Sequence, residues 1–222
     1  MRHALVTGVS SGIGLAIAER LLAQGWAVTG LSRRPPPLEH PGLTHVSADL
    51  AASAATALKD VPPPQALIHA AGLLRVGAHD AHSPGDGAAM WLLHVDASAR
   101  LIARFAPVMP DGGRIVLIGS RTAAGAAGKS LYAASKAGMV ALARSVAAEL
   151  APRRITVNVV APAATDTPML RDPARAGVPP SLPPMGRLIQ PAEVAGTVAF
   201  LLSDEAASIT GQQLVLCAGA SL

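Results

Sequence analysis

The stretch LVTGVSSGIG, residues 5–14, decides the fold of this chain of 222 residues. Its first three residues form an apolar run typical of a buried strand, and apolar residues then recur at helical spacing over residues 13–23. Gly8, Gly12 and Gly14 therefore occupy a turn between a strand and a helix. Glycine lets a ligand approach the backbone closely, and the unpaired N–H groups at a helix start favour phosphate. The stretch predicts a phosphate-binding turn, with a purely structural turn as the alternative.

Short apolar runs alternate with helical stretches along the rest of the chain. The predicted strands are residues 5–7, 26–31, 44–46, 66–69, 114–118, 155–160 and 213–216. The predicted helices are residues 13–23, 51–60, 86–106, 131–150 and 191–202. Apolar strands that alternate with helices are typical of a parallel sheet covered on both faces, so we expect an α/β fold with a doubly wound, Rossmann-like sheet of about seven strands. The composition shows no break, which predicts a single domain over residues 1–222.

The composition excludes several classes of protein. The 18 basic residues are scattered along the chain and aromatic residues make up 2% of it, so we expect no nucleic-acid partner. The single cysteine, Cys217, excludes an internal disulfide. No apolar run approaches the roughly 18 residues of a membrane span and the first residues lack a secretory signal, so we expect a cytoplasmic protein without a membrane partner. His79 and His82 lack a third ligand nearby, and no metal site is expected.

The second predicted strand ends in Ser32, Arg33 and Arg34. Proteins that bind NAD commonly place a carboxylate here for the ribose 2′-hydroxyl, whereas an arginine accommodates the 2′-phosphate of NADP. This chain has two guanidiniums and no carboxylate at that point, so we expect NADP(H) rather than NAD(H). The alternative is that both arginines belong to a solvated turn beside NAD(H).

Tyr132 and Lys136 lie four residues apart at the start of a predicted helix, so their side chains share one face. Ser120 follows the strand at 114–118, at the sheet edge where ligands bind. An ammonium close to a phenol favours the phenolate and lowers the pKa of the tyrosine toward the range in which proton transfer is efficient. Tyr132 is the only tyrosine, so an acid–base role for a phenol falls on it. Ser120 would donate a hydrogen bond to the same carbonyl oxygen.

These motifs together resemble the short-chain dehydrogenase/reductase family, with its glycine pattern T-G-x-x-x-G-x-G, its serine and its Y-x-x-x-K. The resemblance covers essentially the whole chain and implies catalytic roles for Ser120, Tyr132 and Lys136. It implies that the cofactor is bound by Gly8, Ser10, Ser11, Gly12, Ile13, Gly14, Ser32, Arg33, Arg34, Asp49, Leu50, Ala70, Ala71, Gly72, Tyr132, Lys136, Pro162, Thr165 and Thr167.

Three features depart from the family pattern. The first asparagine of the family's N-N-A-G strand end is His69 here, which we interpret as a hydrogen-bonded structural histidine. The family's helix asparagine, which completes a catalytic tetrad through a water to the lysine, is best matched by His94, with Asp96 as a weaker candidate. His94 would then keep a water or proton relay to Lys136. Residues 34–48 are shortened, so the helix between the second and third strands is expected to be trimmed or absent.

The resemblance implies an NADP(H)-dependent oxidoreductase that transfers a hydride between nicotinamide and a carbonyl compound or secondary alcohol. The alternative is a catalytically silent NADP(H)-binding sensor on the same fold. A halohydrin-type lyase of this fold would have arginine in place of Lys136 and a disrupted glycine turn. Helices 86–106 and 131–150 are apolar on more than one side, which predicts a homodimer or homotetramer built on them.

Residues 168–190 hold six of the nineteen prolines, which is typical of a loop, and we expect them to form a mobile substrate loop. The many apolar residues of this loop predict a mainly apolar pocket, with Arg171, Arg175 and Arg187 near its rim. A hydrophobic ketone or a 3-oxoacyl compound is the expected small-molecule substrate.

Overall fold

The computed structural model describes residues 1–52, 58–172 and 181–222. The strands in these residues are β1 His3–Thr7, β2 Ala27–Ser32, β3 Leu43–Ser47, β4 Ala66–His69, β5 Arg114–Ile118, β6 Thr156–Pro162 and β7 Gln213–Leu216. They form one parallel sheet in the order β3-β2-β1-β4-β5-β6-β7. The order reverses between β1 and β4, and ligands bind beyond the carboxyl ends of the strands at such a point. The predicted doubly wound parallel sheet is confirmed.

The α-helices of the described residues are α1 Gly12–Ala23, α2 Asp86–Trp91, α3 Ala97–Phe105, α4 Ser130–Leu150 and α5 Pro191–Leu201. They cover both faces of the sheet. Successive residues of β1 point to opposite faces and pack against different helices. Leu5 packs in the cluster that contains Leu101 of α3, whereas Val6 packs in the cluster that contains Ile17 of α1. None of the helices in these residues combines the length and the apolarity that crossing a bilayer needs.

The helix expected at residues 86–106 is interrupted by a π-helical turn at Leu92–Asp96. Two carbonyl oxygens of this turn accept hydrogen bonds from side chains. The Leu93 carbonyl accepts from His69 Nε2 at 3.0 Å, and the His94 carbonyl accepts from Ser98 Oγ at 2.5 Å. Side chains that insert into the regular helical ladder in this way produce such turns, so the expected helix is present as one helical run that contains a local π-helical turn.

The prediction of a helix at residues 51–60 is wrong for the residues that the structure describes, 51, 52 and 58–60. Residues 58–60 form a turn, after which the Val61 amide donates to the Leu58 carbonyl at 3.3 Å. The three prolines at 62–64 lack the N–H donors that a continuing helix needs. Residues 53–57 lie outside the described part of the chain. The connection from β2 to β3 is described throughout and holds no helix, as the short segment 34–48 predicts.

Candidate functional site

The turn between β1 and α1 requires glycine at two positions. A Cβ on Gly14 would lie 2.3 Å from the Gly8 carbonyl oxygen, and a Cβ on Gly8, whose φ is +75°, would lie 2.9 Å from the Ala71 amide nitrogen. No side chain of the described residues caps the N-terminus of α1, where Ser11 is the N-cap. The amides of the first helical turn therefore remain available to an anion, and this backbone cradle fits a pyrophosphate.

A chain of hydrogen bonds ties this turn to the end of β4. Thr7 Oγ1 accepts from the amides of Ala70 and Ala71 at 3.0 and 2.9 Å. Its own proton therefore goes to His69 Nδ1, 3.0 Å away, which leaves His69 Nε2–H to donate to the Leu93 carbonyl. Burial lowers the pKa of His69 to about 4. His69 is thus a neutral bridge between β1 and the π-helical turn, as the structural interpretation of the sequence predicts.

The turn after β2 is held by two serine hydroxyls. Ser32 Oγ donates to the Arg34 carbonyl at 2.6 Å, and Ser47 Oγ donates to the Arg33 carbonyl at 3.4 Å. Both arginine side chains are exposed, and no ion pair in the described part of the chain involves either guanidinium. Two guanidiniums without carboxylate partners suit a phosphate group.

Two adjoining cavities at this sheet edge collect all the predicted site residues. We call the first the cofactor cavity; it is lined by Gly8, Ser10, Ser11, Gly12, Ile13, Gly14, Ser32, Arg33, Arg34, Asp49, Leu50, Ala70, Ala71, Gly72 and Thr167. We call the second the catalytic cavity; it is lined by Ser120, Tyr132, Lys136, His94, Pro162 and Thr165. Ile13, Ala70, Gly72 and Thr167 line both, so a molecule in one cavity can reach a molecule in the other.

Lys136 brings a buried ammonium close to the phenol ring of Tyr132. Its Nζ atom lies 5.8 Å from the centroid of that ring and donates to the Ile118 carbonyl at the end of β5, at 2.8 Å. Only 4% of Lys136 is exposed, and this burial lowers its pKa to about 7. The residue therefore changes between its charged and neutral forms near neutral pH.

Ser120 lies just beyond β5 and is oriented by its neighbour Thr122. Ser120 Oγ accepts from the Thr122 amide at 3.2 Å and lies 2.8 Å from Thr122 Oγ1. The hydrogen bond from the Thr122 amide occupies one lone pair of Ser120 Oγ. The Ser120 hydroxyl proton can therefore point to Thr122 Oγ1 or to an oxygen of a ligand in the cavity. The serine is therefore a buried donor held in place at the sheet edge.

His94 is fully buried in the π-helical turn, and both ring nitrogens have partners. Nε2 accepts from the Leu73 amide at 3.2 Å, which places the ring proton on Nδ1. Nδ1 then donates to Ser135 Oγ at 2.9 Å, and that hydroxyl donates to the Tyr132 carbonyl at 2.8 Å. The ring also meets the Tyr132 ring edge-on, with 5.6 Å between centroids. Burial, together with the charge of Lys136, lowers the pKa of His94 far below its usual range.

This geometry separates the two candidates for the tetrad position. The His94 ring nitrogens form hydrogen bonds with the Leu73 amide and with Ser135 Oγ, and not directly with the Lys136 ammonium, so the relay expected from the sequence would have to run through a water. Asp96 is partly exposed and forms an ion pair with Arg100 at 2.9 Å. Of the two, only His94 lines the catalytic cavity.

Sequence reasoning missed two cations that line the catalytic cavity, Arg121 and Lys129. The signal was present in the spacing, since Arg121 directly follows Ser120 and Lys129 lies three residues before Tyr132. Two of the three expected rim arginines, Arg171 and Arg187, have carboxylate partners in the described residues. Arg171 pairs with Asp166.

Arg187, the next rim arginine, pairs with Glu193 at 2.6 Å. Arg175 and the rest of residues 173–180 of the expected substrate loop lie outside the described residues. Across the residues that are described, no three histidine, cysteine or acidic side chains form a group that could hold a metal ion.

Comparisons with known proteins place the chain in a family. Residues 45–221 match a family model described as enoyl-(acyl carrier protein) reductase. The 3-oxoacyl-[acyl-carrier-protein] reductase of Salmonella typhimurium is 36% identical over 234 residues, which cover 95% of this chain and 93% of that protein.

Solved structures show the same fold. A short chain dehydrogenase family protein from Francisella tularensis superposes with a TM-score of 0.90 at 27% identity, covering 100% of this chain and 99% of that one. A blue fluorescent protein from a metagenomic library, solved in complex with NADPH, superposes with a TM-score of 0.85 at 29% identity, covering 100% of this chain and 98% of that one.

Proposed function

Because the chain belongs to the short-chain dehydrogenase/reductase family and is an oxidoreductase of CH–OH and C=O groups, we propose that it uses NADP(H) to interconvert a hydrophobic ketone or 3-oxoacyl compound with the secondary alcohol. The observation that carries the proposal is the meeting of Ser120, Tyr132 and Lys136 in a cavity that adjoins the glycine cradle. His94 supports this site as a positioning residue.

The side chains of the catalytic cavity divide the work on the substrate oxygen. A free phenol has a pKa of about 10, and the adjacent Lys136 ammonium favours the phenolate and lowers that pKa. Tyr132 then gives its proton to the carbonyl oxygen in reduction and takes a proton from the alcohol in oxidation. Ser120 donates a hydrogen bond to the same oxygen as negative charge develops there. The bound nicotinamide supplies or accepts the hydride.

The proposed preference for NADP(H) over NAD(H) rests on the turn after β2. Arg33 and Arg34 offer two exposed guanidiniums, and Ser32 directs its hydroxyl to the Arg34 carbonyl rather than to a ribose. The first turn of α1 contains no acidic residue that would repel the pyrophosphate. The structural relative in complex with NADPH supports the same choice.

The test is an activity panel. The protein is mixed with NADPH, and in parallel with NADH, and with hydrophobic ketones and a 3-oxoacyl thioester, while cofactor oxidation is followed at the nicotinamide absorbance. We expect turnover of at least one compound with NADPH and weaker turnover with NADH. Tight NADPH binding without turnover across the panel would instead support the catalytically silent sensor.

We also propose that residues 1–222 act as one domain and assemble as a homodimer or homotetramer. One sheet spans the described residues from β1 to β7, which supports the single domain. Trp91 is 50% exposed and Leu92 is 37% exposed on the helical segment that was expected to be covered by a second chain. Light scattering at micromolar concentration checks the assembly, and a monomer would contradict it.

A further inference from the structure

We propose that the substrate carries an oxyanion close to the reacting carbonyl, and that Arg121 binds it. This inference rests on the proposed function, because it concerns the compound reduced in the catalytic cavity. Arg121 directly follows Ser120, is half-buried, and lines the same cavity as Ser120 and Tyr132. A guanidinium in that position faces the space in which the substrate must lie.

The charges of the cavity favour an anion. Arg121, Lys129 and Lys136 come from three places in the chain and all line it. No aspartate or glutamate is among the described residues that line this cavity, and no ion pair of the described chain involves Arg121. A cleft lined by one sign of charge concentrates ligands of the other sign.

Arg121 differs in this respect from the arginines at the rim. Arg187 makes a two-pronged ion pair with Glu193, with bonds of 2.6 and 2.9 Å, and Arg171 pairs with Asp166. Those guanidiniums are neutralised by carboxylates of the chain itself. A guanidinium that is partly withdrawn from water and has no such carboxylate is suited to a two-pronged bond with a carboxylate or phosphate of a ligand.

The position of Arg121 limits where the anion can be on the substrate. Consecutive Cα atoms are about 3.8 Å apart, so Arg121 starts next to the serine that is proposed to bind the reacting oxygen. A carboxylate within a few bonds of the ketone can therefore meet Arg121 while the ketone meets Ser120. A small oxo acid fits this arrangement, whereas the phosphate of a carrier-linked thioester is too many bonds from the ketone to meet Arg121.

The experiment uses matched pairs of substrates. Three ketones, one cyclic, one branched and one straight-chain, are each supplied as the carboxylic acid and as its methyl ester, and a phosphopantetheine thioester is compared with its dephosphorylated form. kcat/KM is measured with NADPH for the wild type, Arg121→Gln, Arg121→Lys and Arg104→Gln, whose guanidinium lies on the exposed face of α3. We expect the wild type to favour at least one acid over its ester.

Arg121→Gln should lower kcat/KM for that acid about tenfold to a hundredfold, with less than a threefold effect on the ester. Arg121→Lys should keep part of the preference, and Arg104→Gln should keep all of it. A preference confined to the phosphorylated thioester would place the oxyanion far from the reacting carbonyl and would overturn the inference. Equal losses on acid and ester, or no anion preferred by the wild type, would overturn the inference. If no ketone is turned over, the proposed function fails. The inference on Arg121 is then tested by calorimetry, which compares the binding of each acid and its ester to the NADPH complex of the wild type and of the Arg121 variants.

Discussion

The cofactor cavity and the catalytic cavity adjoin each other but are built in opposite ways. The cofactor cavity relies on backbone: a Cβ on Gly14 has no room, and the amides at the start of α1 face the ligand. The charged side chains that line it, Arg33, Arg34, Asp49 and Arg75, are exposed. The catalytic cavity relies on side chains that are buried, with Lys136 only 4% exposed and His94 fully covered. The proposed recognition of the phosphates thus relies on the backbone of the fold, whereas the proposed chemistry relies on polar side chains whose burial costs more free energy than that of apolar ones.

The burial of Lys136 has a direct consequence for stability. Its pKa is about 7 in the folded protein, whereas the pKa of an exposed lysine is 10.5. The unfolded chain therefore binds the proton more tightly, so this group opposes folding most strongly below pH 7 and ceases to do so above about pH 10.5. Burial of the Lys136 ammonium therefore lowers the free energy of unfolding. The glycine cradle carries no buried charge and imposes no such cost.

Removal of the phenol should have the largest effect. We expect Tyr132→Phe to lower kcat by about a hundredfold to ten-thousandfold, since no other tyrosine can supply the proton. The ring remains for the edge contact with His94, so the melting temperature and the NADPH Kd should change little. Near-normal turnover in steady-state assays would contradict the assignment of the proton transfer to the catalytic cavity.

Lys136→Met separates chemistry from stability within one residue. The variant should lose at least about a hundredfold in kcat, because the phenolate is no longer stabilised. Its free energy of unfolding at pH 7 should equal or exceed that of the wild type.

Urea unfolding from pH 7 to pH 10 should show wild-type stability rising by up to about 1.4 kcal/mol per pH unit from this group, and a flatter profile in the variant. Lys59→Met, at an exposed lysine, is the control and should leave both the profile and kcat as they are. A loss of stability in Lys136→Met that persists at every pH would contradict this account.

Arg33→Ala tests the exposed side of the comparison. The loss of one charge-assisted contact should raise the NADPH Kd about tenfold to a hundredfold and leave the NADH Kd nearly unchanged. Arg20→Ala, at an exposed arginine of α1, controls for the change in net charge. Fluorescence titration of the wild type and both variants with NADPH and with NADH measures the six dissociation constants. An equal loss for NADPH and NADH would reverse the cofactor preference.

The two regions also differ in how much the sequence could predict. The glycine turn of the cofactor cavity follows from local spacing, because Gly8, Gly12 and Gly14 lie between one strand and the next helix, although the contact that excludes a Cβ at Gly8 comes from Ala71 on a distant segment. The seven strands and their parallel sheet follow from the alternation of apolar runs with helical stretches. The bonds of His94 could not be predicted, because Leu73 and Ser135 lie 21 and 41 residues from it in the chain.

The interruption of the helix at 86–106 escaped prediction for the same reason. It depends on the bond from His69 on β4 to the Leu93 carbonyl, a contact that no periodicity records. Of the helix expected at 51–60, the described residues 51, 52 and 58–60 are not helical, and three prolines follow at 62–64. Local patterns therefore predicted the elements and the cradle, whereas contacts between distant segments set the details of the catalytic cavity.

The smallest effect is expected for His94→Asn, and it decides whether this histidine holds the site or moves protons. An asparagine can also accept from the Leu73 amide and donate to Ser135 Oγ, so kcat should fall less than tenfold, and His94→Ala, which can do neither, should fall further. The pH dependence of kcat/KM should keep its midpoints in His94→Asn, because neither ring nitrogen contacts Lys136.

Stability provides the second measurement on the same pair of variants. The folded-state pKa of His94 is far below 6.5, so the unfolded chain alone takes up the proton and wild-type stability falls as the pH drops below about 6.5. His94→Asn should reduce that acid loss in urea unfolding, and His69 should account for the part that remains between pH 6.5 and about 4. A shifted midpoint of kcat/KM with an unchanged acid profile of stability would show that the ring relays protons. The two observables therefore separate support from relay even if both variants retain most of their activity.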